Sequence, residues 1–530
     1  MDVPDTPSRS IQRDSWRWAY VLSCLALLWL NGCAHLSDWM HNGFKVGPNY
    51  DRPPALVATE WMDFNDPRVI SGECGVDEAA WWQTFNDPVM DGLIYAAYQQ
   101  NLPLRAAGLR VLEAESQRRI AAGRVFPQFQ EAFGNFEQRQ RSLAGYSAGL
   151  PPSVRSLGVW SAGFNASWEL DVWGRFRRGI ESADANVDAS INDYDDVLVT
   201  LIADTAATYI EVRAFQQRLR YARANVATQE KSLQLADDRY RNGIVTKLDV
   251  TQAQSSLHQT KSLVPVLERG LRLANNRLCV LLGSPPRNLL EELGSTGNEV
   301  IPEPSPQAIV GIPAELIRRR PDVRRAEREV AVQSALIGIA ASDLFPMFTI
   351  NGSINWQATD FGDLFTPATN AGVISPGFNW KILNYGRIVN NVAVQDARFQ
   401  QLAVSYQQAV LEANREVEDG IIDFLRSHDR AEELKQAVDA TAESVALAQL
   451  HYSEGWIDFD RVNNLQRDLV IQQDQSVAAQ ADVAYGLVRV YRALGGGWQV
   501  RCGPAPPMDQ EPGADIEALP PPLRVDLTSQ

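Results

Sequence analysis

The sequence predicts an α+β membrane protein built as an internal duplication, each half carrying two strands and a pair of long helices. Three observations predict it. The stretch Tyr240–Gln254, "YRNGIVTKLDVTQAQ", returns 212 positions later as Tyr452–Gln466, "YSEGWIDFDRVNNLQ". Several short segments alternate apolar and polar residues with the period of two that a one-sided strand requires. Two stretches without proline, 175–241 and 387–453, run for 67 residues each. As continuous helices these would reach about 100 Å, well beyond globular norms.

The duplication extends outward from the repeated turn. Trp168–Arg175, "WELDVWGR", matches Trp380–Arg387, "WKILNYGR", and Leu282-Gly283 matches Leu494-Gly495, all at an offset of 212. Further upstream the offset becomes 219, where "RVFPQF" (124–129) matches "DLFPMF" (343–348). The first copy therefore holds seven extra residues (219 − 212), placed in the Ser/Gly/Pro-rich loop 141–158, since such insertions belong in exposed loops. The units are 86–294 and 313–502, joined by a Pro-rich linker, 295–312.

Each unit repeats one order. A helix opens at Asp87-Pro88, an N-cap residue followed by proline at the first helical position, and is expected to run unbroken through "LRAAGLRVLEAESQRRIAAG". A strand begins near Phe129, alternating poorly; its counterpart sets Phe348, Ile350, Ile354 and Trp356 against Thr349, Asn351, Ser353 and Asn355. The next strand sets Trp160, Ala162, Phe164, Ala166, Trp168, Leu170 and Val172 against Ser161, Gly163, Asn165, Ser167, Glu169 and Asp171. Its partner sets Ile374, Phe378, Trp380 and Ile382 against Ser375, Asn379 and Lys381. After the strand-to-helix turns Gly174-Arg175 and Gly386-Arg387 come the long helices, with heptad seams at Leu198, Ile202, Thr205, Tyr209 and Val212, and at Leu434, Val438, Thr441, Val445, Ala448 and Tyr452. Gly243 and Gly455 end them, and return helices of about 38 residues follow.

The formal charge is −16, and residues 1–32 carry three Arg against three Asp, so the balance survives their removal. An acidic chain argues against nucleic acid as partner. Residues 18–30, "WAYVLSCLALLWL", have the length of a signal-peptide core and are too short to span a bilayer, which makes 1–32 the signal peptide. Leu30-Asn31-Gly32-Cys33 then resembles a bacterial lipobox, with Cys33 as the acylated residue opening a leader, 33–85; the alternative is an incidental Cys after an ordinary signal sequence. Ala34 after the Cys favours, in that resemblance, the outer membrane. Cys74, Cys279 and Cys502 form no CxxC or disulfide framework. The five His make no HExxH motif, no phosphate loop or nucleophile elbow is present, and no catalytic residue, metal or cofactor is expected. Residues 503–530, with seven Pro, read as a disordered tail.

Alternating strands of about 9–11 residues with Trp on the apolar face fit an outer-membrane barrel; a half-buried sheet in a soluble domain is the alternative. Four strands cannot close a barrel, and an open edge is not tolerated in lipid. If these strands span a membrane, several chains share one barrel.

The order signal peptide, lipobox, "VGPNYDRPP" (46–54), "WWQTFNDPVMDGLIYAAYQQN" (81–101) and the duplicated unit with "LIRRRPDVRRAE" (316–327) resembles the outer-membrane efflux proteins of the TolC kind, in their NodT-like lipoprotein branch, over residues 45–500. The resemblance implies a homotrimer with a 12-stranded β-barrel in the outer membrane, continued by a 12-helix α-barrel in the periplasm. It also implies a periplasmic adaptor, an inner-membrane resistance-nodulation-division transporter and no enzymatic activity. In that family the hairpin tips close the channel and acidic side chains line its narrowest ring. Asp249 occupies the acidic position of the first tip; in the second, Asn464 stands where Asp is frequent, with Asp458, Asp460 and Arg461 just before it. Their other reading is solvated charge at a helix end. A protein-secretion duct beside an ATP-driven translocase, and a non-transporting trimeric coiled-coil surface protein, are the competing functions. The "VGPNYDRPP" leader favours the pump-linked branch, and the strands disfavour the fibre.

Overall fold

The computed structural model describes residues 39–70, 78–140, 156–290, 293, 300–303, 308–309 and 318–502. The signal-peptide segment with Cys33, the loop 141–155, most of the linker and the tail from 503 lie outside the described residues. The chain divides into two compact units, one of Met1–Val57, Ala106–Tyr194 and Pro321–Glu412, the other of Ala58–Arg105, Asp195–Arg320 and Ala413–Gln530. Both units draw on both halves of the duplication.

The first unit holds one four-stranded antiparallel sheet of β1 (Phe129–Gln140), β2 (Ser156–Leu170), β3 (Met347–Ala358) and β4 (Asn370–Asn379), in sequential order. The middle pair, β2 with β3, joins the two repeats. Its register sets Ala162 against Trp356, Phe164 against Ile354 and Trp168 against Ile350. One face therefore collects the apolar residues of both strands, and the other collects Ser161, Asn165 and Ser167 with Asn351, Ser353 and Gln357. The register extends that apolar face to Ala132 and Phe136 on β1, and to Ile374, Pro376 and Phe378 on β4. It also explains the weak alternation of β1, where Phe129 and Phe133 fall on the polar face and Gln130 and Gln138 on the apolar one. The apolar face is open: Phe164, Ile374 and Phe378 are 59%, 81% and 69% exposed. Aromatic rings cluster at both of its ends. Phe136, Trp160 and Phe361 touch at one end, with centroids 4.5 and 5.0 Å apart, and Phe348 lies 6.2 Å from Phe378 at the other.

Two sequence expectations end short. The strands stop at Leu170 and Asn379, so Val172, Trp380 and Ile382 lie beyond them. The backbone there folds into tight turns instead, Val172 N donating to Leu170 O and Ile382 N to Trp380 O. Pro376 removes one ladder donor from β4, which is an edge strand of the sheet within one chain.

The duplication reaches individual hydrogen bonds. The Trp168 indole donates to Val125 O at 3.1 Å, and the Trp380 indole donates to Leu344 O, the repeat counterpart of Val125, at 3.0 Å. One feature is not repeated. Of the two strand-to-helix turns, the first is the one the leader meets among the described hydrogen bonds: Arg177 donates to the carbonyls of Gly43 and Phe44, and Arg178, itself buried, donates to those of Val46 and Gly47. A Cβ on Gly174 would lie 2.8 Å from Lys45 Cα, so this approach requires glycine. In the second repeat, Gly386 would meet only the Asn390 side chain.

The helices are distributed over both units. Helix α1 (Pro88–Gln100) is capped as expected, the Asp87 carboxylate accepting from the backbone of Val89 and Met90. It does not run on: α2 (Leu102–Gly123) is a separate helix, because Pro103 cannot continue the ladder. Asn101 bridges the break, its side chain accepting from Leu104 N and donating to Leu281 O. The long helices α3 (Arg175–Arg241) and α6 (Arg387–Glu454) are continuous, and their return helices α4 (Lys247–Leu281) and α7 (Phe459–Ala493) have 35 residues each; α5 (Pro321–Ser342) is the second repeat's counterpart of α2. Leu198, Ile202, Thr205, Tyr209 and Val212 are all buried, as is Trp81, which stacks on Tyr491 at 5.3 Å. Among the described residues no helix is long and apolar enough to cross a membrane.

Candidate functional site: the paired hairpin tips

Both hairpin tips are built by one backbone device. At the end of α3, Gly243 N donates to Tyr240 O and Ile244 N to Arg239 O; at the end of α6, Gly455 N donates to Tyr452 O and Trp456 N to His451 O. This is the helix-stop in which the residue after the helix turns left-handed, and Gly243 and Gly455 have φ of +73° and +85°. The turns predicted at these glycines are thus present at both sites.

The two tips pack on each other within one chain. Ala236, Val250 and Ala253 from the first meet Ala448, Tyr452, Phe459 and Val462 from the second in one buried cluster. A polar frame surrounds it. Ser256 Oγ donates to Asn463 Oδ1 at 2.6 Å, and Gln466 Nε2 donates to Ser232 Oγ at 2.8 Å. The Arg239 guanidinium donates to Tyr452 O and lies 4.7 Å from the centroid of the Tyr452 ring. Burial pushes the Tyr452 phenol above its ordinary pKa, Asp249 adds to the rise and Arg239 opposes it. A phenol facing a cation and a carboxylate stays neutral, so the link is a cation–ring and hydrogen-bond contact rather than an ion pair.

The acidic residues singled out in the sequence are at these tips. Asp249 stands half-buried in the first turn of α4 and accepts from Thr246 Oγ1 at 3.2 Å. Asp458 occupies the N-cap position of α7 without a side-chain cap hydrogen bond and is exposed; Asp460, in the first turn, accepts from Asn464 Nδ2 at 3.0 Å. Arg461 is exposed. First-turn carboxylates also suit the helix dipole, which alone would favour them here. Within one chain, no described hydrogen bond joins Asp249 to Asp458 or Asp460, and it is Arg239 with Tyr452, Ser256 with Asn463 and Ser232 with Gln466 that link the tips. Of these six, sequence reasoning singled out only Tyr452, as a seam residue. The signal was present for one pair: Tyr240 and Tyr452 occupy the same repeat position, each preceded by a basic or imidazole side chain. Of the strand-to-helix residues, Arg175 lies 3.7 Å from Glu169 and 3.4 Å from Asp343, while Arg387 is exposed.

The pattern of the outer membrane efflux protein family matches the chain twice, over residues 93–284 and 312–496. The chain belongs to that family. It is 31% identical over 436 residues to the pyoverdine export outer membrane protein OpmQ of Pseudomonas aeruginosa, covering 80% of this chain and 88% of that one. Nodulation protein T of Rhizobium leguminosarum bv. trifolii is 27% identical over 464 residues, covering 86% and 95%. Among solved structures, the outer-membrane channel OprN superposes with a TM-score of 0.77 at 29% identity, over 86% of this chain and 99% of that one. The open state of the MtrE channel of Neisseria gonorrhoeae, at 23% identity, shares the fold with a TM-score of 0.75. The chain is thus an efflux protein of the outer membrane with a TolC-like channel fold.

Proposed function

We propose that this chain is the outer-membrane duct of a tripartite efflux system. Three copies form a 12-stranded barrel continued by a 12-helix periplasmic tunnel, and the tunnel receives cargo from a periplasmic adaptor and an inner-membrane proton-driven transporter. The observation that carries the reading is the sheet: four strands with an exposed apolar face, aromatic rings at both ends of it, and two edges, β1 and β4, that have no strand partner among the described residues. From Trp160 to Trp168 is eight residues, roughly 27 Å along a strand and so about 20 Å of depth at the tilt of a barrel strand, close to the apolar band of about 25 Å of an outer-membrane barrel. Lipid satisfies neither edge, so neighbouring copies must.

In this reading Cys33 carries the lipid anchor, and the tips are the periplasmic gate. Asp249, Asp458 and Asp460 from three chains then line its mouth. Relatives are named for pyoverdine export, toluene efflux and cation efflux, so the duct does not specify the cargo and the transporter does. Native mass spectrometry of detergent-extracted protein tests the assembly: a trimer is expected, and a folded, membrane-inserted monomer would overturn it. Mass spectrometry of the mature N-terminus tests the anchor, where an unmodified start beyond Cys33 would reject acylation.

A further inference from the structure

Away from the tips, α3, α4 and α7 line an open groove of about 330 Å³, and its lining residues all belong to the second unit of one chain. Helix α3 contributes Ala203, Asp204, Ala207 and Glu211, whose spacing of three and four residues puts them on one helix face. The two alanines end at Cβ and leave the space open. Helix α7 contributes Tyr485, Val488, Arg489 and Arg492 at the same spacing, and α4 contributes Arg277. The volume lies in the range of small-molecule sites, about 300–1,000 Å³.

Three guanidinium groups and two carboxylates share this space. Arg492 Nη1 lies 3.7 Å from Asp204 Oδ1, and Arg489 donates to Asp423 of α6, which is not part of the lining. A guanidinium carries five N–H donors, so one such contact leaves several unused. Arg277 is exposed and has no ion pair among the described residues. Glu211 is the opposing charge, and with Asp204 engaged by Arg492 the lining keeps a positive excess. Burial pushes the Tyr485 phenol above its ordinary pKa; Glu211 and Asp482 add to the rise and Arg277 opposes it. Tyr485 therefore stays a neutral donor with a flat apolar ring.

We propose that this groove binds an aromatic carboxylate, its ring against Ala203, Ala207, Val488 and Tyr485 and its charge held by Arg277 together with Arg489 and Arg492. Guanidinium is the cation whose planar fork matches a carboxylate with two parallel hydrogen bonds. A small inorganic anion would use the guanidiniums and leave the apolar stripe wet, and an aromatic cation would meet the positive excess. One chain supplies the whole groove, so binding requires no particular oligomeric state and is independent of the trimeric reading above. The ligand joins α4 of the first repeat to α7 of the second, and because it binds only the folded chain it raises the unfolding temperature.

The test is fluorescence titration of the full-length, detergent-extracted protein with 2-naphthoate, set beside 1-naphthylmethylammonium. Naphthoate is expected to saturate at one ligand per chain and to raise the unfolding temperature; the ammonium is expected to do neither. Arg277→Gln should weaken naphthoate about tenfold or more, the worth of a hydrogen bond to a charged group, and Glu211→Gln should tighten it. Ala207→Leu fills the groove and should abolish binding. Naphthoate uptake that is the same in the parent and in all three variants is partition into detergent and would overturn the site. Ammonium binding that equals or exceeds that of naphthoate would overturn it too. Should Ala207→Leu fail to fold by circular dichroism, the two charge variants decide alone, since the site requires them to shift affinity in opposite directions.

Discussion

The two hairpin tips share a backbone and differ in what they show to their surroundings. Their helix stops use equivalent hydrogen bonds at Gly243 and Gly455, so the punctuation of the repeat is unchanged. The side chains one turn further on diverge. Phe459 is buried at the junction of the tips, while its counterpart Lys247 is exposed; Asp460 is charged, while its counterpart Leu248 is 63% exposed and apolar. A duplicated chain can thus hold its turns constant, because only one residue type fits them, and still make its two copies complementary by changing the faces that meet.

The largest expected effect sharpens that contrast. Phe459→Ala removes a side chain that is 1% exposed and in edge contact with the Tyr452 ring, and large-to-small truncation at such a site costs about 3–5 kcal/mol. Lys247→Ala, at the matching exposed position, should stay within about 0.5 kcal/mol. Hydrogen exchange of residues 240–254 and 452–466 reads both. Equal protection loss in the two variants would mean that the tips are not packed as described.

Next come the glycines. Alanine at either position is forced left-handed, costing about 1–2 kcal/mol. Gly455→Ala should cost more than Gly243→Ala, because its new Cβ would lie 3.2 Å from Arg239 Nη2, whereas Gly243 faces open space. Thermal unfolding of the two variants side by side checks the order.

What the sequence made legible follows the same division. Turns, helix stops and the period of β2 and β3 are local, and each was readable from a few neighbouring residues. The weak period of β1 became intelligible only with the register, which assigns Phe129 and Phe133 to the polar side. The break at Asn101 was readable in principle from Pro103, but a strong helical pattern on both sides obscured it. The acidic residues of the tips were visible as charges at helix starts. The Arg239–Tyr452 link was not, because it joins the faces of two helices 213 positions apart, and no local period encodes which faces meet.

A smaller effect is expected at that link. Arg239→Ala loses the cation over the Tyr452 ring and a donor to its carbonyl, together about 1–3 kcal/mol. Arg239→Lys should recover part of the loss, since an ammonium retains charge but not the planar fork. In planar bilayers the alanine variant should show more frequent opening than the parent. Unaltered opening would leave the link as packing without a role in closure.

The smallest expected change in stability carries the sharpest functional reading. Asp458 and Asp460 are exposed at the start of α7, so the double replacement by Asn forfeits only the dipole interaction, about 0.3–1 kcal/mol for each charge, and Asn still serves at the cap. The trimer should therefore remain intact. If three copies bring these carboxylates to one mouth, their field concentrates cations and holds multivalent ones there. The parent should pass small, cation-preferring currents that multivalent cations block from the periplasmic side, and the double variant should lose much of both the preference and the block while conducting more. Salt sharpens the comparison, because exposed charges are screened within about 8 Å at physiological ionic strength; parent and variant should converge as salt rises. If selectivity, block and conductance are the same in both proteins even at low salt, these carboxylates are solvated helix ends, and closure belongs to the packed cluster around Tyr452 instead.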